Sequence, residues 1–436
     1  MRKIKVLFIT HAPWRNDTSI GNSYSNIFAG MDDRLEFAQI YIRDGMPENN
    51  LVNKYFHISE QDLIKSVFTR KAVGTELKNV GQHNNKPEQF SKSYNTMRSL
   101  RWNILLLARD IIGVLGQWKS SELDAFLDEY KPDIIFGALS FLPIVNKLMV
   151  YSKKRTSASL IVYPWDDWYH VNKNTYSPFY YIRIFLERYY IRRCVDQAAM
   201  MYTITEQMRD EYTKMFGKPC KVLRKGYSFD HRPIYKNNDL STINMIYAGN
   251  IGDNRWKTLA ALASVIENSN KMYSTQIHLK IHTLTPINAD MEQQLNILNV
   301  SEIGRPLAAT EVNDVLAKAD VLVHVEPTDS VMLENCRLSF STKIVDYLHS
   351  AKCILAVGGE NASMRYLKEN DAAIVGNTYD EIEKAIKRIA TNPDIVNEYS
   401  NKAWQCGCRN HSINKTQDMI YGDFLQEVAK RKSNES

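Results

Sequence analysis

The segment 339–359, SFSTKIVDYLHSAKCILAVGG, places one lysine and one aspartate three residues apart at the start of a helical pattern. Ser341 or Thr342 can cap that helix, so Lys343 lies in its first turn. A cation is unfavourable at the positive end of a helix dipole unless an anion is present. Lys343 and Asp346 share a helix face, so they can meet one ligand, the lysine at a phosphate and the carboxylate at ribose hydroxyls. The alternative is a simple surface ion pair.

A second set of cations follows a predicted strand in MIYAGNIGDNRWKTLAAL. The strand ends at Gly249 and Asn250, and the loop then carries Arg255 and Lys257 into a helix. Cations beside a helix N-terminus at the end of a strand are suited to a diphosphate. The third glycine and the distal acid of a dinucleotide fingerprint are missing. Two solvated basic residues are the alternative.

The segment IVYPWDDWYHVN places carboxylates among aromatic side chains after another strand. Trp165 and Trp168 are suited to stacking on sugar rings, and Asp166 or Asp167 can act as acid or base at a hydroxyl. His11, at the end of the first strand, is a second candidate base. An aromatic loop that packs on a neighbouring helix is the alternative. The two acids are adjacent, so they do not form the Asp-x-Asp motif of a metal site.

Composition indicates an ordinary globular protein, with 436 residues, 44% hydrophobic residues and 24% charged residues. The length predicts two or three domains. A net charge of +6 is compatible with an anionic substrate or membrane surface and does not require nucleic acid. The six cysteines are scattered, which is typical of reduced thiols in the cytoplasm. We read the N-terminus as a buried strand rather than a signal peptide, and expect no transmembrane helix.

Short apolar runs alternate with helical patterns along most of the chain, which predicts parallel sheets covered by helices on both faces. The polar segment 228–242 divides the chain into two such halves. We therefore predict an α/β fold of two Rossmann-like, doubly wound domains that face an interdomain cleft. In open parallel sheets, ligands bind at the carboxyl ends of the strands, where these candidate residues lie.

Three motifs of the second half carry a family resemblance: MIYAGNIGDNRWK, IGRP followed by EVNDVLAKADVLVHVEPT, and STKIVDYLHSAKCILAVGG. In this order they resemble the C-terminal domain of GT-B glycosyltransferases, above all the bacterial family four enzymes that use nucleotide sugars. The first half is similar mainly in layout, through EYKPDIIFG and LERYYIRRCVDQAAMMYTITEQMRDEYTKMFG. The resemblance implies a GT-B fold in which an acceptor domain precedes a donor domain.

The domain boundaries follow from this layout. Residues 1–228 form the predicted acceptor domain, with a basic helical insert around 61–121. A linker at 229–242 leads to the donor domain at 243–392, and helices in 393–436 can cross back to the first domain. The insert, with Trp102, Trp118 and Lys119, can face a membrane or a lipid-linked acceptor, although a buried helix is the alternative.

The resemblance also implies roles for single residues. Lys343 and Lys257 would contact the donor diphosphate, and Asp346 would take the place of the glutamate that holds the ribose. The neighbourhood of Arg305 would face the nucleobase, and Gly21 would lie in the phosphate-facing loop of the first domain.

Two departures from the family pattern affect these roles. Asn250 stands where many members have arginine, for which Arg255 can substitute. Many members also have two glutamates with seven residues between them, but here the first of those positions is Leu338. Glu326 and Glu334 have that spacing but precede the helix, so we treat the match as accidental and leave the stereochemistry and the sugar open.

The expected activity is transfer of a sugar from a nucleoside-diphosphate donor to a hydroxyl of a cell-surface glycan or lipid-linked intermediate. No cofactor or metal is expected, because lysine, arginine and helix dipoles can neutralise the leaving diphosphate. The expected location is the cytoplasm, peripherally on the inner face of the membrane, in polysaccharide biosynthesis. A nucleotide-sugar epimerase of the same fold is the alternative. A bilobal ligand-binding protein is disfavoured by the missing export signal.

Overall fold

The computed structural model describes residues 2–77, 103–170, 176–234 and 241–435. Parts of the predicted insert and linker lie outside these residues, as does Trp102. The chain divides into two compact units, Met1–Leu223 with Gln417–Ser436, and Arg224–Thr416. Within the described ranges, no helix has the length and apolar character needed to cross a membrane.

The first unit contains an eight-stranded sheet. Its strands are β1 (Ile4–Thr10), β2 (Leu35–Tyr41), β3 (Val52–His57), β4 (Thr75–Glu76), β5 (Ile134–Gly137), β6 (Ser159–Val162), β7 (Met200–Thr203) and β8 (Cys220–Val222). They are ordered β4-β3-β2-β1-β5-β6-β7-β8, and all neighbours pair in parallel except β3 and β4. The order reverses between β1 and β5, so the sheet is doubly wound.

Seven helices are described between the strands of this sheet. They are α1 (Ser19–Phe28), α2 (Glu60–Thr69), α3 (Asn103–Leu115), α4 (Ser121–Tyr130), α5 (Pro143–Thr156), α6 (Pro178–Gln197) and α7 (Glu206–Phe216). The predicted insert therefore contains α2, the short strand β4 and α3. Neither β4 nor β3 is a continuous apolar run of the kind from which strands were predicted, since the exposed Asn53 and half-buried Lys54 interrupt the apolar pattern of β3.

The second unit contains a fully parallel six-stranded sheet. Its strands are β9 (Thr242–Ala248), β10 (Gln276–His282), β11 (Ser301–Gly304), β12 (Val321–Val325), β13 (Cys353–Val357) and β14 (Ile374–Gly376). Their order is β11-β10-β9-β12-β13-β14, which reverses between β9 and β12. Every residue of β12 and β13 is buried, as expected for central parallel strands.

The helices of the second unit follow the same alternation. They are α8 (Arg255–Met272), α9 (Ala289–Leu295), α10 (Val312–Ala317), α11 (Ser330–Asn335), α12 (Lys343–His349), α13 (Ala362–Glu369), α14 (Tyr379–Thr391) and α15 (Ile395–Asn410). A short 3₁₀ turn, Ala309–Glu311, precedes α10. The prediction of two Rossmann-like parallel-sheet units is confirmed.

The C-terminal helix α16 (Ile413–Glu435) packs mostly in the first unit. Its Phe424 is fully buried and lies 6.2 Å from the ring of Phe136 on β5. The Tyr202 hydroxyl donates a 2.7 Å hydrogen bond to Asp423 of the same helix. Asp423 and Phe424 of α16 therefore help to complete the core of the first unit.

Candidate functional site

The carboxyl end of the second unit's sheet brings several candidate residues together. Strand order reverses between β9 and β12, and this reversal is where ligands of open parallel sheets bind. Gly249 follows β9, and Arg255 begins α8. Glu326 follows β12, and Lys343 begins α12. Loops after two central strands and the starts of two helices thus converge on one place.

Lys343 points its ammonium group at the end of β9. Its Nζ donates a 3.1 Å hydrogen bond to the Ala248 carbonyl and lies 4.8 Å from the centre of the Tyr247 ring. A Cβ atom on residue 249 would lie 2.0 Å from Nζ, so Gly249 permits this close approach. Burial, and next the positive charge of Arg255, lower the pKa of Lys343 to about 8. Two cations that influence each other in this way favour an anionic ligand.

Glu326 is the buried carboxylate beside these cations. Its Oε2 lies 3.4 Å from Arg255 Nη2, and its Oε1 lies 3.1 Å from His324 Nε2. Burial raises the pKa of Glu326, but the hydrogen bond and charge of His324, with Arg255, hold it below its ordinary value. Glu326 is therefore ionised and fixes the Arg255 guanidinium. Glu326 was treated as an accidental match to the family pattern, although its place directly after a buried strand could have marked it as a site residue.

The turn before α8 determines which groups can meet an anion there. Asp253 and Asn254 adopt left-handed φ angles of 52° and 62°. The backbone N–H groups of residues 255–257 donate to carbonyls within residues 251–254, each over 3.1 Å. The side chain of Arg255, rather than these three amides, is therefore the donor directed at the site.

Asn250 and Lys257 take different positions in this loop. The Asn250 side-chain oxygen accepts hydrogen bonds from Gly252 N, at 2.6 Å, and from Thr285 Oγ1, at 2.9 Å. Asn250 thus shapes the loop. Lys257 is exposed, with Nζ 5.7 Å from the centre of the Trp256 ring.

Asp346 lies on α12, one turn after Lys343, and is held by two side chains that the sequence analysis missed. Lys225 Nζ lies 2.6 Å from Oδ1 and 2.7 Å from Oδ2 of Asp346. The Tyr227 hydroxyl donates to Oδ1 over 2.6 Å. Lys225 is buried, and burial together with Asp346 raises the pKa of Tyr227. The orientation of the Asp346 carboxylate is therefore fixed by the Lys225 ammonium and the Tyr227 hydroxyl.

Lys225 could have been suspected as a site residue from the sequence, because the basic dipeptide Arg224-Lys225 closely follows the last strand of the first unit. These residues precede the predicted linker but belong to the second unit. The Arg224 guanidinium lies 4.3 Å from the ring centre of Phe340 and 4.9 Å from that of Tyr366. The segment after β8 therefore contributes cations to the second unit.

Arg305 follows β11 at the edge of the sheet. Its exposed guanidinium pairs with Glu311, with Nη1 2.9 Å from Oε2. Its carbonyl lies 2.8 Å from Nδ1 of the buried His282. Arg305 is thus anchored in the loop two strands away from β9, apart from the cluster around Lys343.

His11 and Gly21 line one small pocket at the end of β1 in the first unit, together with Trp165. The His11 ring stacks on Trp165 with centres 6.1 Å apart. Burial, then the charge of Arg43, lower the pKa of His11 to about 4, so its imidazole is neutral at pH 7. A Cβ on Gly21 would lie 2.0 Å from the Arg15 carbonyl, which gives this glycine a packing role.

Asp167 organises the aromatic loop next to that pocket. Its Oδ1 accepts hydrogen bonds from the Tyr212 hydroxyl at 2.8 Å and from the His170 backbone N–H at 3.1 Å. Burial raises the pKa of Asp167, but His170 and Tyr212 hold it below its usual range. Asp166 is half-buried and accepts the backbone N–H of Asp167 at 2.9 Å. Asp167 is thus held by its neighbours inside the loop, whereas Asp166 is partly exposed.

Comparison with solved structures identifies the fold. HepE from Anabaena, in complex with UDP, superposes with a TM-score of 0.61 at 10% identity, covering 97% of this chain and 100% of that one. The α,α-trehalose 6-phosphate synthase of Burkholderia multivorans also reaches 0.61 at 10% identity, covering 100% and 99%. An E. coli trehalose-6-phosphate protein bound with UDP-2-fluoro glucose reaches 0.59 at 12% identity, covering 97% and 99%.

The chain has the GT-B fold. This likeness extends over nearly the full length of both partners in each comparison, so both units of the GT-B fold are present. No protein-family model matches the sequence, and no curated protein matches it. The GT-B assignment therefore rests on three-dimensional structure.

Proposed function

We propose that this protein is a glycosyltransferase that moves a sugar from a nucleoside-diphosphate donor to an acceptor hydroxyl. The observation that carries the proposal is the pairing of Lys343 with Arg255 at the strand-order reversal of the second sheet. Two cations held together there are suited to the charge of a diphosphate. The UDP and UDP-2-fluoro glucose in structures of the same fold support a sugar nucleotide as the donor.

The proposed role of the donor site is to stabilise the leaving group of the transfer reaction. The acceptor oxygen forms a bond to the anomeric carbon, while the bond from that carbon to the diphosphate oxygen breaks. Negative charge then grows on the diphosphate, where Lys343 and Arg255 stabilise it. Lys257 would reach the outer phosphate oxygens from the exposed start of α8. No metal ion is required for this step in our proposal.

The nucleoside would extend from these cations along the loops of the same unit. Asp346, pinned by Lys225 and Tyr227, would accept hydrogen bonds from the ribose hydroxyls. The backbone around Arg305 would meet the nucleobase, and Asn250 would keep the intervening loop in shape. The ion pair with Lys225 makes Asp346 a fixed acceptor rather than a mobile one.

The acceptor would be activated by groups of the first unit. In an inverting reaction, Asp166 or His11 would take the proton of the attacking hydroxyl, and Asp167 would position the loop that carries Asp166. His11 is neutral at pH 7, and its pKa of about 4 makes it a weak base in the free protein. Trp165 would stack on the acceptor sugar, and Gly21 would line the same pocket. In a retaining reaction these groups would only position substrate.

The finer features of the proposal concern the acceptor and the family. We propose a cell-surface glycan or a lipid-linked intermediate as acceptor, in polysaccharide biosynthesis. Membership of the bacterial family four enzymes is proposed from the motifs around Lys343. Peripheral contact with a membrane would bring the enzyme to a lipid-linked acceptor.

The test is incubation with a panel of nucleotide sugars, each with and without sugar acceptors, followed by analysis of nucleotides. Release of nucleoside diphosphate that depends on the acceptor supports transfer. An isomerised nucleotide sugar formed without an acceptor would instead indicate an epimerase. Failure to bind any nucleoside diphosphate in calorimetry would overturn the donor site itself.

A further inference from the structure

Three helices of the first unit expose large apolar side chains to solvent. On α3, Ile104, Ile111 and Leu115 are 48%, 41% and 57% exposed, and on α6 Phe185 is 74% exposed. Six further side chains of this kind lie on α2 and α6: Ile64, Phe68, Phe179, Tyr181, Ile182 and Tyr189. We call these ten residues the apolar face. Single exposed apolar residues are ordinary, but a group on adjacent helices marks an interaction site.

The stripe on α3 points away from the core of its unit. Gly113 is buried, and a Cβ there would lie 3.3 Å from Ile144 of α5, so this side of α3 faces α5. At 3.6 residues per turn, Ile111 and Leu115 lie about half a turn around the helix from Gly113. Ile104 lies in the same direction. The exposed stripe is therefore the outer side of α3.

The stripe on α6 has the same orientation. Cys194 is buried with its Sγ 3.8 Å from Met149 Sδ of α5. Phe185 and Tyr189 lie roughly half a turn around the helix from Cys194. Since α3 and α6 pack against each other and both pack on α5, their two stripes face outward together. Phe68, which is 83% exposed, extends the surface along the neighbouring α2.

Positive charge borders the apolar face. Six exposed basic residues lie on or directly after the three helices: Lys65, Arg70, Lys71, Lys119, Arg192 and Arg193. The acids in the middle of α3 and α6 turn inward instead, since Asp110 and Glu187 are both buried. Arg109 donates to Asp110 over 2.6 Å, and Arg183 Nε lies 3.5 Å from Glu187.

The remaining acids of the described parts of these helices lie at their ends. Glu60 and Asp62 are in the first turn of α2, and Asp196 is in the last turn of α6. The outward surface between them is therefore apolar and cationic. Two copies of such a surface placed face to face would bring like charges together, which disfavours self-association.

We propose that the apolar face docks on an anionic lipid bilayer, with Ile111, Phe185 and Phe68 in the headgroup layer and the basic border against lipid phosphates. Aromatic and aliphatic side chains with flanking cations are the features by which helices bind along a membrane surface. The inference draws on the proposed function in one respect, since a lipid-linked acceptor would lie in such a bilayer. Trp118, one of the residues that could have faced a membrane, is only 2% exposed and packs edge-on against Tyr151.

The experiment is sedimentation of the full chain with vesicles of phosphatidylcholine alone or of phosphatidylcholine with phosphatidylglycerol. We expect binding to the anionic vesicles, weakened by salt, and at least about tenfold weaker binding to the neutral ones. The double variant Ile111→Ser with Phe185→Ser should weaken anionic binding by about tenfold or more. Leu298→Ser, at an 88% exposed leucine of the second unit, is the matched control and should bind as the parent.

Three results would overturn the proposal. They are absence of binding to anionic vesicles, binding that the double variant leaves unchanged, and a dimer of the parent that the double variant converts to monomer. UDP binding is measured on the same proteins by calorimetry. A protein that binds UDP but no anionic vesicles would contradict the membrane proposal and leave the donor site intact. A protein that binds anionic vesicles but no UDP would contradict the donor site and leave the membrane proposal intact.

Discussion

Lys225 and Asp346, 121 residues apart in sequence, form a close ion pair in which Nζ contacts both carboxylate oxygens, at 2.6 and 2.7 Å. The lysine is buried, and its segment directly follows the last strand of the first unit. The aspartate lies on the helix that begins with Lys343. The ion pair therefore fixes the helix that carries the central cation of the proposed donor site.

Removal of the lysine from this pair should destabilise the protein. Lys225→Met leaves Asp346 without its cation, and we expect a loss of about 1.5–3 kcal/mol in the free energy of unfolding. Urea denaturation measures this. Lys271→Met, which removes an exposed i,i+4 pair with Glu267, is the control and should cost less than about 1 kcal/mol. Strict additivity of Lys225→Met and Asp346→Asn in a double-mutant cycle would contradict the coupling.

Nucleotide affinity should depend on pH through Lys343. Its pKa is lowered to about 8, so the free protein loses this positive charge as the pH rises through that value. Bound diphosphate favours the protonated lysine, and UDP affinity should therefore fall above about pH 8 and be retained below it. Calorimetry at a series of pH values measures the fall. Lys343→Arg keeps its charge throughout, and a parent profile as flat as that of this variant would speak against the assignment.

Neutralising Glu326 should shift the pH dependence of UDP affinity. The negative charge of Glu326 raises the pKa of Lys343, so Glu326→Gln lowers it further. The midpoint of the loss in UDP affinity should then shift to lower pH. Glu334→Gln is the matched control, because Glu334 is exposed and its Oε1 lies 3.5 Å from Arg337. Equal profiles for the two variants would remove Glu326 from the site.

Gly249 should be intolerant of a side chain. In Gly249→Ala the added Cβ would meet the Lys343 ammonium, which must move off the end of β9. We expect UDP affinity to fall by about tenfold, since one charge-assisted contact is displaced. Gly422→Ala is the control, because a Cβ there meets no atom within 4 Å. Equal UDP affinity of the two variants in calorimetry would show that UDP binding does not require Lys343 at the end of β9.

Transfer should not depend on a divalent ion if cationic side chains neutralise the leaving group. We expect the same rate of acceptor-dependent release of nucleoside diphosphate with and without EDTA. Lys343→Ala should remain equally slow in both conditions. Loss of activity on chelation, followed by recovery on adding magnesium, would replace this part of the account with a metal-assisted step.

The two sheets were predictable because their central strands are continuous apolar runs. Strands β12 and β13 are buried at every residue, and apart from His324 in β12 their residues are apolar. Strand β3 escaped prediction because Asn53 and Lys54 lie in its middle, and β4 is only two residues long. Edge strands carry polar residues that resemble loops, and only pairing with a neighbour defines them.

Part of the candidate site was also predictable, because Gly249 directly follows a strand and because Arg255 and Lys343 lie at the starts of helices. The partners of these residues were not. Lys225 meets Asp346 across 121 residues, and one sequence does not reveal such a pair. Trp118 and Phe185 show the same limit, since helical periodicity did not tell which apolar side chain is buried and which is exposed.

The most direct test of the central claim is UDP binding by Lys343→Ala, measured by isothermal titration calorimetry at pH 7. We expect affinity to fall by about a hundredfold, with the thermal unfolding midpoint close to that of the parent. Lys271→Ala, at an exposed lysine of the same unit, should bind as the parent does. UDP affinity that is unchanged in a folded Lys343→Ala protein would contradict the assignment of a diphosphate site.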